Sequence, residues 1–191
     1  GAPPVVITDL VKGGELGGML RFRDQVLDPS VNEMGRLAIE LGTFMNEQHR
    51  AGITLSGMPG QDIFTVASPQ VVSDPGNGGT ISVAFDDVSQ LTAEDYRLDY
   101  DGSNWVLSNA GNGQVVPMTG TGTSVDPFIA EGLSISIGTG AIAGDSYRLR
   151  PPRTGAAGIS LQLADPRAMA MASPVRTSAA LAIPGPGGWG A

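Results

Sequence analysis

The apolar positions between Leu27 and Gly52 fall at helical spacing. Val31, Met34, Ala38, Leu41 and Met45 follow one another in steps of 3, 4, 3 and 4. That is the seam of a helix packing against another helix, and Leu37 and Phe44 widen it. The pattern extends back to about Gly14 through Leu16, Met19, Leu20 and Val26, weakened at Gly17 and Gly18 by about 1 kcal/mol each relative to alanine. Asp28 reads as the cap of a fresh helical start with Pro29 at its first position. Gly52 is placed as a C′ residue, and His49 and Arg50 put positive charge in the last turn, where it suits the helix dipole.

Beyond Gly60 the period changes from 3.6 to 2. Ile81, Val83 and Phe85 alternate, as do Tyr96, Leu98 and Tyr100. Asp101-Gly102-Ser103 makes a short turn, and Trp105-Val106-Leu107 returns as the hairpin partner. Leu133, Ile135 and Ile137 mark another strand, Tyr147 and Leu149 another, and Ile159, Leu161 and Leu163 a last one. Weaker strands are expected at "DIFTV" from Asp62 and "QVVPM" from Gln114. Short strands separated by Gly- and Pro-rich turns indicate an antiparallel sandwich or barrel-like domain. The fold class is therefore α+β: a helical segment, part of a helix bundle, over residues 1–59, and a β-rich domain over 60–175. Residues 176–191 read as a linker or tail, residues 1–12 as extended chain, and Asp165-Pro166 opens one brief helical turn.

Composition adds exclusions. The 191 residues carry 11 basic and 19 acidic side chains, and Lys12 is the only lysine. With no basic stripe, neither nucleic acid nor an anionic membrane surface is an expected partner. Without cysteine, disulfides and thiolate chemistry are ruled out. No run approaches 18 apolar residues, and "GAPPVVITDL" lacks the features of a secretory signal and reads as a cut end. Aromatics make up only 5% of the chain, so the core must lean on aliphatic side chains.

Candidate chemistry is sparse. His49 is the only histidine, too few for a histidine-based metal site, and it reads as a cation at a helix end. Asp99-Tyr100-Asp101-Gly102-Ser103 misses the calcium-loop pattern, having Asn104 and Ala110 where Gly and Glu belong. Asp86-Asp87 and Glu94-Asp95 are adjacent acids on loops rather than opposed carboxylates. Gly138-Thr139-Gly140 fits a turn better than a dinucleotide loop. No catalytic, cofactor-binding or metal-binding residue is assigned, and no cofactor is expected. The interaction surface assigned is Val31, Met34, Ala38, Leu41 and Met45. That seam either packs on the chain's own β domain or waits for another helix, and its heptad-like spacing favours the second reading.

The stretch from Gly13 to Asp24 ("GGELGGMLRFRD") followed by Asn46, His49 and Gly52 resembles the FlgK family, the first hook-associated proteins of the bacterial flagellum. Met19 stands where leucine is commoner. "DYRLDYDGSNWVL", "GLSISI", "AGDSYRLRP" and "AAGISLQLADPRAMAMASP" are similar to that family's second domain, so the resemblance covers roughly residues 10–175.

The resemblance implies a non-catalytic structural subunit of an extracellular filament, located in the flagellum and exported unfolded through its secretion channel. It implies self-association in a ring, contacts with the hook protein and the next junction protein, and an export chaperone for the full-length protein. It also implies that the chain is a middle fragment whose long helix lies against helices outside it. The seam would then be partly bare, or covered by the β domain, by residues 165–182 or by a neighbouring copy, and dimer contacts along it are expected. A different reading, a β-rich adhesin or carbohydrate-binding module, would use Tyr96, Tyr100, Trp105 and Tyr147 as a stacking platform.

Overall fold

The computed structural model describes residues 13–172. The extended chain expected over residues 1–12 and the tail expected over 176–191 lie outside them. The helical pattern is realised as one continuous rod: α1 (Gly14–Phe22), a π turn (Arg23–Leu27) and α2 (Asp28–Arg50). Asp28 does not cap a new start. Its backbone is helical (φ −64°, ψ −46°) and its N–H reaches back to the Arg23 carbonyl. Pro29 has no N–H and would crowd the carbonyl of the preceding turn, and the wider π turn just before it accommodates that crowding without breaking the rod. The Asp28 carboxylate is free to pair with Arg153 at 2.7 Å.

Ten strands follow. β1 (Phe64–Thr65) pairs only with β10 (Ser160–Leu161). A five-stranded sheet runs in the order β2 (Gln70–Ser73), β9 (Ser146–Arg150), β4 (Tyr96–Tyr100), β5 (Trp105–Asn109), β6 (Val115–Val116). A three-stranded sheet has β8 (Leu133–Ile137) between β3 (Ile81–Phe85) and β7 (Phe128–Ala130). Every pairing is antiparallel.

The two larger sheets face each other as an open sandwich and do not close into a barrel. Leu98 sits opposite both Leu107 and Tyr147, and Tyr96 opposite Leu149. These side chains meet Leu133 and Ile135 of the other sheet in one buried cluster. The alternation read from the sequence thus selects the inward face.

Two expectations need correction. "ISLQL" is not a sandwich strand: Leu161 is exposed, and β10 leaves the sandwich to pair with β1. Gly52 is not a left-handed cap, for its φ is not positive. A Cβ there would lie 2.4 Å from the Ala170 carbonyl oxygen, so close approach is what demands glycine.

The loop before β3 is tied to β9 by one carboxylate. Asp145 accepts hydrogen bonds from the N–H groups of Gly78 (2.9 Å), Gly79 (2.9 Å) and Ile142 (3.2 Å). Asn77 adds a reciprocal pair with the Ser146 backbone. Burial pushes the Asp145 carboxyl up, but the three N–H bonds outweigh it and hold the group below its ordinary value. A carboxyl depressed in the fold stabilises it above the unfolded value, about 3.9, and loses that contribution as pH falls through the folded value. Hydrogen-exchange protection of Gly78 and Gly79 is therefore expected to drop below about pH 4. Asp145→Asn should show the same loss already at neutral pH, because an amide cannot accept from N–H groups on both sides. Unchanged protection in that variant would contradict the assignment.

Candidate assembly surface

The rod α2 has two stripes with the same 3-4 spacing, and they differ in kind. The buried one is Asn32, Gly35, Ile39, Gly42, Asn46 and His49. Only Ile39 among them is a large apolar residue, so burial is achieved by close approach and hydrogen bonds. A Cβ on Gly35 would fall 1.8 Å from the Pro152 carbonyl oxygen. One on Gly155, in the short helix α3 (Gly155–Gly158), would fall 2.3 Å from the Gly35 carbonyl oxygen.

Three polar side chains complete this docking face. Asn46 Oδ1 accepts from the N–H groups of Ile63 and Phe64, each at 2.9 Å, and its Nδ2 donates to the Phe64 carbonyl at 2.8 Å. The amide therefore stands in for a neighbouring strand along β1. Asn32 Nδ2 donates to the Ala93 carbonyl and to the Asp95 carboxylate, both at 3.0 Å. Asp95 also pairs with Arg150 at 3.4 Å.

His49 is buried rather than a surface cation. The Ala170 N–H donates to its Nε2 at 2.8 Å, so Nδ1 carries the proton and donates to the Gln61 carbonyl. The ring is neutral, and the charge at the helix end belongs to Arg50, paired with Asp62 at 2.6 Å. Hydrophobic periodicity missed this stripe, because glycine, asparagine and histidine carry no hydrophobic signal. Asn46 and His49 stood out only through the family resemblance, and the seven-residue recurrence was a further sign.

The apolar stripe faces the other way. Met34 is 63% exposed, Leu37 52%, Leu41 59% and Phe44 57%, and Met45 is exposed as well. Of the five residues assigned from the sequence, Met34, Leu41 and Met45 lie on this open face. Val31 and Ala38 are half-buried on its shoulder, next to the docking stripe. Upstream, Leu16, Met19, Phe22, Val26 and Leu27 are exposed too. Monomeric soluble proteins rarely leave a contiguous apolar strip of this length bare. Its chemistry is that of contact: it has no polar group to orient a ligand.

The other possibilities find less support. Tyr96 and Tyr147 are buried in the sandwich core, and burial pushes the Tyr96 hydroxyl up to about 12. Tyr100 and Trp105, stacked at 4.6 Å, are half-buried on the same inward face, with Trp105 packed against the core. Asp101 turns its carboxylate onto the N–H groups of Ser103 and Asn104, as a hairpin turn does. Among the described residues no group of three or more His, Cys, Asp or Glu side chains is placed to hold a metal ion, and no helix is long and apolar enough to cross a membrane.

Comparison with known proteins agrees over both parts. The family profile described as "Flagellar hook-associated protein FlgK helical domain" matches residues 1–64, and "Flagellar hook-associated protein 1, D2-like domain" matches 72–151. Flagellar hook-associated protein 1 of Salmonella typhimurium is 32% identical over 167 residues, 86% of this chain and 30% of the relative. That of Escherichia coli K12 is 30% identical over the same length. The solved structure of the flagellar hook junction protein FlgK from Burkholderia pseudomallei superposes with a TM-score of 0.76 at 40% identity, covering 85% of this chain and 30% of that one. The chain thus spans about 30% of the length of the relatives it matches.

Proposed function

We propose, because this chain belongs to the FlgK family of flagellar hook-associated proteins, that it is part of a non-catalytic structural subunit of the bacterial flagellum. In this reading it helps join hook to filament, outside the cell, after export through the flagellar secretion channel. The partners are further copies arranged in a ring, the hook protein and the next junction protein, with an export chaperone serving the whole subunit. Residues 1–59 belong to an inner helical domain and 60–175 to an outer β domain. Residues 60–66 and 153–172 form the ribbon that ties one to the other.

The observation that carries this is the two-sided rod. One face of α2 is committed to its own β domain through backbone contact and amides, while the opposite face offers an exposed heptad-like stripe. Val31, Met34, Ala38, Leu41 and Met45 are the proposed contact set for helices of the assembly, with Leu37 and Phe44 beside them.

Leu41→Asp separates assembly from folding. Leu41 is exposed, so the isolated chain should keep its stability to within about 0.5 kcal/mol. The full-length protein carrying it should fail to form the junction, and cells should swim poorly. Unchanged motility and normal junctions in that strain would refute the assignment of the stripe.

A further inference from the structure

The flanks of the stripe carry information about its occupant. Counting heptads from Met34, the two central rows are Met34 and Leu41, and Leu37 and Phe44. One flank is Val31, Ala38 and Met45, all apolar. The other is Glu33, Glu40 and Glu47, all glutamate and seven residues apart. Arg36 lies further round the rod, and its guanidinium is already held between Glu33 and Glu40 at 2.5 Å each. One cation against two carboxylates leaves that pair of turns negative, and Glu47 adds an exposed charge one heptad on.

A second copy of this rod is a poor match for such a surface. Laid antiparallel, its glutamate row would face the glutamate row of its mate. Laid parallel, each glutamate would face the apolar Val31, Ala38 and Met45 row instead. In neither arrangement do the flanking rows of α2 supply a cation, and the chain as a whole is acidic, with a formal charge of −8.

We propose that the stripe selects, by charge, a helix that is not its own copy: one with an apolar seam and Arg or Lys at seven-residue spacing along the edge facing Glu33, Glu40 and Glu47. This rests on the reading of the stripe as a helix-docking surface and adds the chemistry of the occupant. Such an arrangement rejects like-charged helices as firmly as it accepts basic ones, and so fixes which helix lies there.

The 191-residue chain can be titrated at low salt with two synthetic helical peptides that share an apolar heptad seam. One carries Lys at both flanking positions of every heptad and the other Glu, and a third peptide has the Lys sequence scrambled. The Lys peptide is expected to bind roughly tenfold more tightly than the Glu peptide, and Glu47→Lys to cut that preference about threefold. Leu41→Asp should abolish binding of both.

Equal binding of the Lys and Glu peptides overturns the charge selection while leaving the docking reading intact. Equal binding of the scrambled peptide overturns it too, the attraction then being diffuse. Concentration-dependent dimers in sedimentation, abolished by Leu41→Asp, would assign the stripe to a second copy instead. Failure of every peptide to bind sinks the selection and the docking reading together.

Discussion

Gly35→Ala is expected to unseat the helix from the β domain, although it adds a single methyl group. That carbon would be built 1.8 Å from a backbone carbonyl oxygen, that of Pro152, which has no rotamer with which to retreat. Gly155 lies against the same turn, with its own Cβ position 2.3 Å from the Gly35 carbonyl, so the rod cannot shift aside. Overpacking of this kind costs about 3 kcal/mol, a large share of an ordinary domain's stability. The contrast is Gly18→Ala in α1, where nothing lies within 4 Å of the new carbon. There the gain in helix propensity should raise stability, by up to about 1 kcal/mol. Urea denaturation of the two variants side by side checks both signs. A Gly35→Ala protein as stable as the parent would mean that the close approach is not maintained.

Asn46→Ala should cost about as much through a different route. It removes the acceptor for the Ile63 and Phe64 N–H groups and the donor to the Phe64 carbonyl. Ile63 is buried, so its N–H cannot turn to water without the ribbon lifting off. Leaving buried donors unpaired costs about 1–3 kcal/mol each, so a total near 3 kcal/mol is expected. Hydrogen exchange adds a local signature: amides 63 and 64 should lose protection well before those of β4 and β9. Asn46→Asp should fall between the two, since it keeps the acceptor and loses the donor. Uniform loss of protection throughout the sandwich would contradict a local role for the amide.

The sequence made some of this visible for definite physical reasons. Alternation marked the inward faces of β3, β4, β8 and β9, because a half-buried strand must put every second residue into apolar surroundings. It also marked α2 and its apolar stripe. It could not say which side of α2 faces the β domain, and a stripe of leucines and methionines looks like the side that should be buried. What decides the matter is long-range: Asn32, Gly35, Gly42, Asn46 and His49 meet partners in other segments, from Phe64 to Ala170, and periodicity within α2 cannot encode such contacts. β10 was misplaced for the same reason, since its apolar residues fit a sandwich strand yet its hydrogen bonds go to β1. The π turn was hidden because Asp28-Pro29 has the chemistry of a helix start, and only the continuous backbone shows that no start occurs.

Most joints between a helix and a sheet are cushioned by long aliphatic side chains that can change rotamer under load. Here the rod touches the β domain through Gly35, Gly155 and the Pro152 carbonyl, main chain on main chain, with the short amide of Asn46 clamping the next contact. There is little slack in such a fit to take up a twist. Torque applied to the rod would pass to the β domain almost rigidly, so that the two turn together as one stiff lever.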